Sequence, residues 1–187
     1  VLLRDATRTL TQAIILIRKQ GLKHRMGSPE KFMRDMNKLC IEMTHTRKKK
    51  DAKKVRKMVF RRMKRLMTII EGHARNYHAL LEDRWQETDW SEIETQIVLD
   101  RIGGITDQLA QAIHQAHERI IGERRVANSE KILSLYESDT HVIVRGKSGA
   151  EVEFGNGLYL AEQIDGLITD WDFMKDQPTA DSQLVKP

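Results

Sequence analysis

Residues Glu130–Ile168 read EKILSLYESDTHVIVRGKSGAEVEFGNGLYLAEQIDGLI, and their apolar pattern sets them apart from everything before Gly122. Ile132–Tyr136, His141–Arg145, Glu151–Phe154, Leu158–Gln163 and Leu167–Phe173 are short runs rich in Ile, Val, Leu and aromatics, divided by Gly and Asp turns. That alternation of brief apolar runs with turn residues predicts strands. GKSG at Gly146–Gly149 predicts a hairpin turn, and Ile164, Asp165 and Gly166 predict a second one between the last two strands. Pro178–Ser182 reads as the opening of a further helix.

Upstream the period changes from two to between three and four. Leu2, Leu3, Ala6, Leu10, Ala13, Ile14 and Ile17 recur at helical spacing and Gly21 stands where a helix should stop, which predicts a first helix over Leu2–Gln20. Ser28, Pro29 and Glu30 form a helix start, with a capping hydroxyl, a ring tolerated in the first turn and a carboxylate near the positive end. Phe32, Met36, Leu39, Cys40 and Met43 give that second helix its apolar face. A long third helix over about Lys50–Trp85 carries Val55, Val59, Met63, Leu66, Ile70, Tyr77 and Leu80 or Leu81 on a stripe that needs a partner. Thr88 or Asp89 is expected to cap a fourth helix whose stripe is Ile93, Ile97, Ile102, Ile105, Leu109, Ile113, Ala116 and Ile120. The short connection at Gln86–Asp89 makes an antiparallel hairpin of the two long helices the economical packing. Gly103 and Gly104 inside the fourth helix are expected to mark a close crossing or a kink.

Composition bounds the function classes. The chain has 187 residues, 40% apolar and only 5% aromatic, with three prolines, and so is expected to be mainly α with a small β portion. No apolar run approaches the roughly 18 to 20 residues of a membrane span; AIILI at Ala13–Ile17 is flanked by Arg18 and Lys19. The single cysteine, Cys40, excludes an internal disulfide or a cysteine-based zinc site and fits a reducing cytoplasm. The net charge of +5 is unevenly spread: Ser129–Pro187 holds five basic and eleven acidic residues, a balance of −6, which leaves +11 on Val1–Asn128. Two domains are therefore expected, 1–128 and 129–187, the first suited to a polyanion.

That first part contains a run of Arg47, Lys48, Lys49, Lys50, Lys53, Lys54, Arg56, Lys57, Arg61, Arg62, Lys64 and Arg65, interrupted by one acid, Asp51. A solvated helix face usually mixes signs, and this one hardly does, so the favoured reading is contact with phosphates and no base specificity. Arg145 and Lys147, which flank Gly146, are either further phosphate contacts or a cationic turn that keeps a hairpin soluble. His114 and His117, three apart, could share a helix face, but no carboxylate or cysteine stands at fixed spacing, and solvent-facing histidines are the simpler reading. His73 and His78 do not share a face well. Met33, Met36, Met43, Met58, Met63 and Met67 read as core or groove filler.

The letters from Glu130 onward also carry a resemblance. Glu130, Lys131, Ile132, Ser134, Glu137, Thr140, Ile143, Arg145, Gly146, Lys147, Gly149, Val152, Glu153, Phe154, Gly155, Leu160, Glu162, Gly166, Leu167 and Ile168 stand in the order "eKi-S-fE--T--I-RGK-G--vEFG-k--L-E---GlI". This resembles the DDE transposases of bacterial insertion sequences, of the ISNCY-like group. LLRDATRTLTQAI near the start looks like the segment that in the family follows a D-T-T strand and a Y-P-T-D-S turn. The chain departs from the pattern at Gly155–Gly157, where a basic residue or a His-Lys pair is more usual.

The resemblance implies an internal fragment: a helical insertion, 1–128, followed by the first antiparallel strands of an incomplete RNase H-like fold. It implies a full-length enzyme that cleaves and joins DNA at transposon ends with Mg²⁺ or Mn²⁺, in the bacterial cytoplasm on the nucleoid. Such metals need hard oxygen ligands. Carried over residue by residue, the family's two aspartates and glutamate find no position in this chain, so catalytic and metal-binding residues are expected to be absent and the chain alone inactive. Glu151, Glu153, Glu162, Asp165, Asp170 and Asp172 are expected to form solvated strand faces instead. The competing expectations are a non-catalytic helical DNA-binding module, or one that forms a homodimer through the stripe from Val59 to Leu80.

Overall fold

The structure, a computed structural model, describes residues 1–48, 50–137, 140–147 and 150–174, with only the backbone given at 47, 129, 144–147, 150, 151, 153 and 174. It is mainly helical and divides into two units, Val1–Val126 and Ala127–Pro187. The helix expected from Pro178 lies outside the described residues, as does the centre of the GKSG turn, Ser148 and Gly149.

The first unit is built from α1 (Leu2–Lys19), α2 (Pro29–His45), α3 (Ala52–Arg84) and α4 (Glu92–Ile120), with short 3-10 turns at Thr46–Lys48 and Trp85–Glu87. Helix α1 packs on each of the other three, and α3 does the same. Leu10, Ile14 and Ile17 of α1, Met36 of α2, Phe60, Met67, Ile70, Tyr77 and Leu81 of α3, and Ile102 and Leu109 of α4 are all but excluded from solvent. Each such side chain contributes about 1.5–3 kcal/mol of transfer free energy. The contacts tie distant parts of the sequence. Thr7 Oγ1 lies 3.0 Å from Met67 Sδ. Tyr77 Oη donates to the His24 carbonyl oxygen and accepts from the His24 N–H. The Phe32 ring meets His73 edge-on, Arg62 bonds Glu42, and Phe60 faces His117. The start of α3 thus lies beside the end of α4.

Gly21, at φ +87°, follows the end of α1 as expected. Four other expectations about the helices are corrected. Ser28 holds the N-cap position of α2, but its hydroxyl donates to the Glu30 carboxylate instead of capping a backbone N–H. Helix α4 is capped by Ser91, not by Thr88 or Asp89. Ser91 Oγ accepts from the Glu94 N–H while the Glu94 carboxylate accepts from the Ser91 N–H, a reciprocal box. Thr88 is spent closing the preceding 3-10 turn, where its hydroxyl donates to the Trp85 carbonyl. The buried line of α4 runs Thr95, Val98, Leu99, Ile102, Ile105, Thr106, Leu109 and Ala112, whereas Ile93 and Ile97 face outward at 74% and 54% exposure.

Gly103 and Gly104 mark no close crossing. A Cβ added at either would meet nothing within 4 Å, and α4 continues unbroken through both. The Thr106 hydroxyl and Gln108 amide donate to their carbonyls. Among the methionines, Met36, Met63 and Met67 are core, while Met58 is exposed.

In the second unit, β1 (His141–Lys147) pairs antiparallel with β2 (Ala150–Gly155), and β3 (Gly157–Glu162) with β4 (Ile168–Met174), as two separate two-stranded sheets. The β3–β4 turn is the one expected at Ile164–Gly166. Gly166 adopts φ +85°, and Asp165 Oδ1 accepts the Leu167 N–H. The strand expected over Ile132–Tyr136 does not form. Ser134 Oγ accepts the N–H groups of both Tyr136 and Glu137, which bends the chain out of a ladder. Cross-strand pairs Leu158–Phe173 and Leu160–Trp171 line one face of the second hairpin, and all four side chains are exposed. Asp170 and Asp172 stand on the opposite face, across from Ala161 and Tyr159.

Candidate nucleic-acid interface

The basic run straddles a helix start. Lys48 closes the 3-10 turn after α2, Lys50 lies in the connection, and the rest from Lys53 onward belong to α3. Lys49 lies outside the described residues. Asp51 holds the N-cap position of α3 without a side-chain capping bond, and the first turn of α3 contains no acid. Cations at the positive end of a helix are unfavourable by themselves, so this end needs an anion.

Because the buried side of α3 is fixed by Val59, Phe60, Met63, Met67 and Ile70, helical geometry sorts the cations into three directions. Lys54, Arg61 and Arg65 fall within about 40° of one another on the side away from the core; together with Lys64 all are exposed. None of these four makes an ion pair among the described residues. Arg62 turns toward α2, where its Nη1 lies 2.8 Å from Glu42 Oε2. Lys53 and Lys57 turn toward the end of α4, where both Nζ atoms lie 2.9 Å from the Glu123 carboxylate. Those two hydrogen bonds, reinforced by the two charges, hold the Glu123 carboxyl down to about 2. Arg56, half-buried, joins Lys53, Arg119, Ile120 and Glu123 in lining an open cleft.

Sequence reasoning found the run but not its acidic partners. Glu42 and Glu123 are remote in sequence from the lysines and arginines they neutralise, so no local spacing reveals them. Arg145 and Lys147 are placed differently from expectation. They lie on β1 itself, which continues to Lys147, and the register with β2 shifts between Val144 and Lys147, so Arg145 occupies an irregular stretch of strand and not a tight turn.

Among the described residues no group of three or more His, Cys, Asp or Glu side chains could hold a metal ion. His114 is exposed, and His117 lies against Phe60 with its Nδ1 3.6 Å from Glu118 Oε1. Burial, then the nearby His24, lowers the His73 pKa, and its buried Nδ1 has no hydrogen-bond partner. Burial likewise raises the pKa of the half-buried Cys40 thiol. No described helix is long and apolar enough to cross a membrane.

No family model, curated protein or solved structure matches the chain.

Proposed function

We propose that this chain is part of an insertion-sequence DDE transposase, comprising the helical insertion with its long-helix hairpin and the first strands of the RNase H-like domain, and that its helical unit binds the DNA backbone. The family reading rests on the resemblance from Glu130 to Ile168. The DNA reading is carried by one observation: Lys54, Arg61, Lys64 and Arg65 project from α3 and make no ion pair among the described residues, whereas Glu42 and Glu123, the acids that do meet the run, are held by Arg62 and by Lys53 and Lys57. Cations left in this state can neutralise phosphates and release counterions.

The chemistry of the full-length enzyme would be metal-dependent cleavage and joining of DNA strands at transposon ends. The residues described here do not fit the Mg²⁺ or Mn²⁺ that the resemblance implies, because none assembles the required carboxylates. No catalytic step is assigned to them. The second reading, a dimerisation module, is favoured by Ile93 and Ile97 on the outer face of α4; the Val59–Leu80 stripe that first suggested it is largely spent inside the bundle. Binding of a short duplex followed by fluorescence anisotropy across salt concentrations tests the DNA reading. A steep fall of affinity with salt is expected. Salt-independent or absent binding, with a dimer in sedimentation, would give the second reading precedence.

A further inference from the structure

We propose that the cleft between the start of α3 and the end of α4 is an anion site for a nucleic-acid phosphate, and that Glu123 occupies it in the free protein as a built-in competitor. The inference rests on the DNA-backbone reading and adds to it a specific site and a gate.

The cleft gathers four cations, Lys53, Arg56 and Lys57 from α3 and Arg119 from α4. Its occupant is a carboxylate, held by two ammonium groups at 2.9 Å each. A phosphate oxygen could accept the same two donors, since both are charge-assisted acceptors of similar reach. The backbone under the occupant is unusual. Glu123 has φ +56°, the sole non-glycine residue at positive φ among the described residues, and it stands immediately after Gly122 at the end of α4, in a conformation that residues with a Cβ adopt uncommonly.

The turn is held in place from outside the cleft. The Arg124 N–H donates to the Glu118 carbonyl, and the Arg124 guanidinium lies 2.6 Å from the Glu118 carboxylate. A strained conformation fixed by its surroundings, at the point where an acid enters a cationic cleft, is the arrangement expected of a functional plug. Lys53 is largely exposed and Glu123 nearly half so, so the plug can leave without opening the core.

The test compares wild type with Glu123→Gln and Glu123→Gly on a short duplex, by anisotropy at several salt concentrations, with helicity checked by circular dichroism. Glutamine keeps the size of the side chain, and glycine suits the backbone, so the two variants fail to fold for different reasons if either does. Asp83→Asn, an exposed acid near the other end of α3, controls for the change in net charge. Both Glu123 variants should bind about fivefold to tenfold more tightly than wild type near physiological salt, with a slope of log affinity against log salt steeper by roughly one to two units, about 0.9 for each lysine freed. The Asp83 control should leave the slope unchanged.

If the Glu123 variants match the Asp83 control while wild type shows the steep slope of a phosphate-binding face, the plug is refuted and the DNA-backbone reading stands. If neither wild type nor the Glu123 variants bind the duplex, both fall.

Discussion

Replacing Lys54, Arg61, Lys64 and Arg65 together by Ala removes the cations that carry the DNA reading and touches nothing else the fold depends on. From Lys54 to Arg65 the helix rises about 16 Å. Double-stranded DNA presents one charge per roughly 1.7 Å of axis, so four cations over that length have phosphates enough. Each contact contributes about 0.9 to the slope of log affinity against log salt, so four account for about 3.6. Over a fourfold rise in salt that corresponds to a loss of about 150-fold in wild-type affinity that the quadruple variant would no longer show.

The substitutions should not cost the bundle. All four side chains are exposed and off the buried line of Val59, Met63 and Ile70; changes at such sites are worth about 0.5 kcal/mol or less each, and Ala is the best helix former. Anisotropy titrations over a fourfold range of salt, with far-UV circular dichroism on the same samples, read both quantities. A variant of unchanged helicity and unchanged salt slope would show that the run is a solvated face, and the phosphate-binding argument would be wrong.

Gly103→Ala and Gly104→Ala should each stabilise the protein by up to about 1 kcal/mol, because helix interiors favour Ala and the added methyl meets nothing; a drop in thermal midpoint would show a crossing at this point of α4. Tyr77→Phe should destabilise by about 1–2 kcal/mol, since it deprives the His24 N–H and carbonyl of their shared partner; urea unfolding with an unchanged midpoint would contradict that role. His73 has a folded pKa below its unfolded value of about 6.5, so the unfolded chain takes up a proton that the native side chain refuses, and this contribution to stability, present at neutral pH, is lost as pH falls below that value. Urea midpoints at pH 7 and pH 5 should therefore fall further for wild type than for His73→Phe, and equal falls would remove His73 as the cause.

The helices were legible because burial in a bundle writes its period directly into the sequence. Leu10, Ile14 and Ile17, or Val59, Met63, Ile70 and Tyr77, have no other spacing that fits. The start of α4 was ambiguous for a physical reason. Ile93 and Ile97 are as well spaced as Val98, Ile102 and Ile105, but extending the first line leads to Asp100, Arg101 and Gly104, and extending the second leads to Leu109 and Ala112. Reading the line in both directions, with the box of Ser91 and Glu94, would have settled it. The run at Ile132–Tyr136 has the composition of a strand, yet one hydroxyl at Ser134 supplies the backbone with closer partners than any ladder.

The basic run shows the complementary limit. Its density of charge is a property of the sequence, but which cations remain available is a property of the fold. Lys53, Lys57 and Lys54 are equivalent as letters within five positions. A single residue step of about 100° around the helix separates Lys53, which meets Glu123 together with Lys57, from Lys54, which meets none of the described acids, and Glu123 arrives there only because α4 ends beside the start of α3. The same geometry changes which substitutions are informative. Alanine at Lys53 or Lys57 would both remove a cation and release Glu123 from a partner, two effects of opposite sign on phosphate binding, so the outward set of Lys54, Arg61, Lys64 and Arg65 isolates the phosphate contacts, and Glu123 alone isolates the gate.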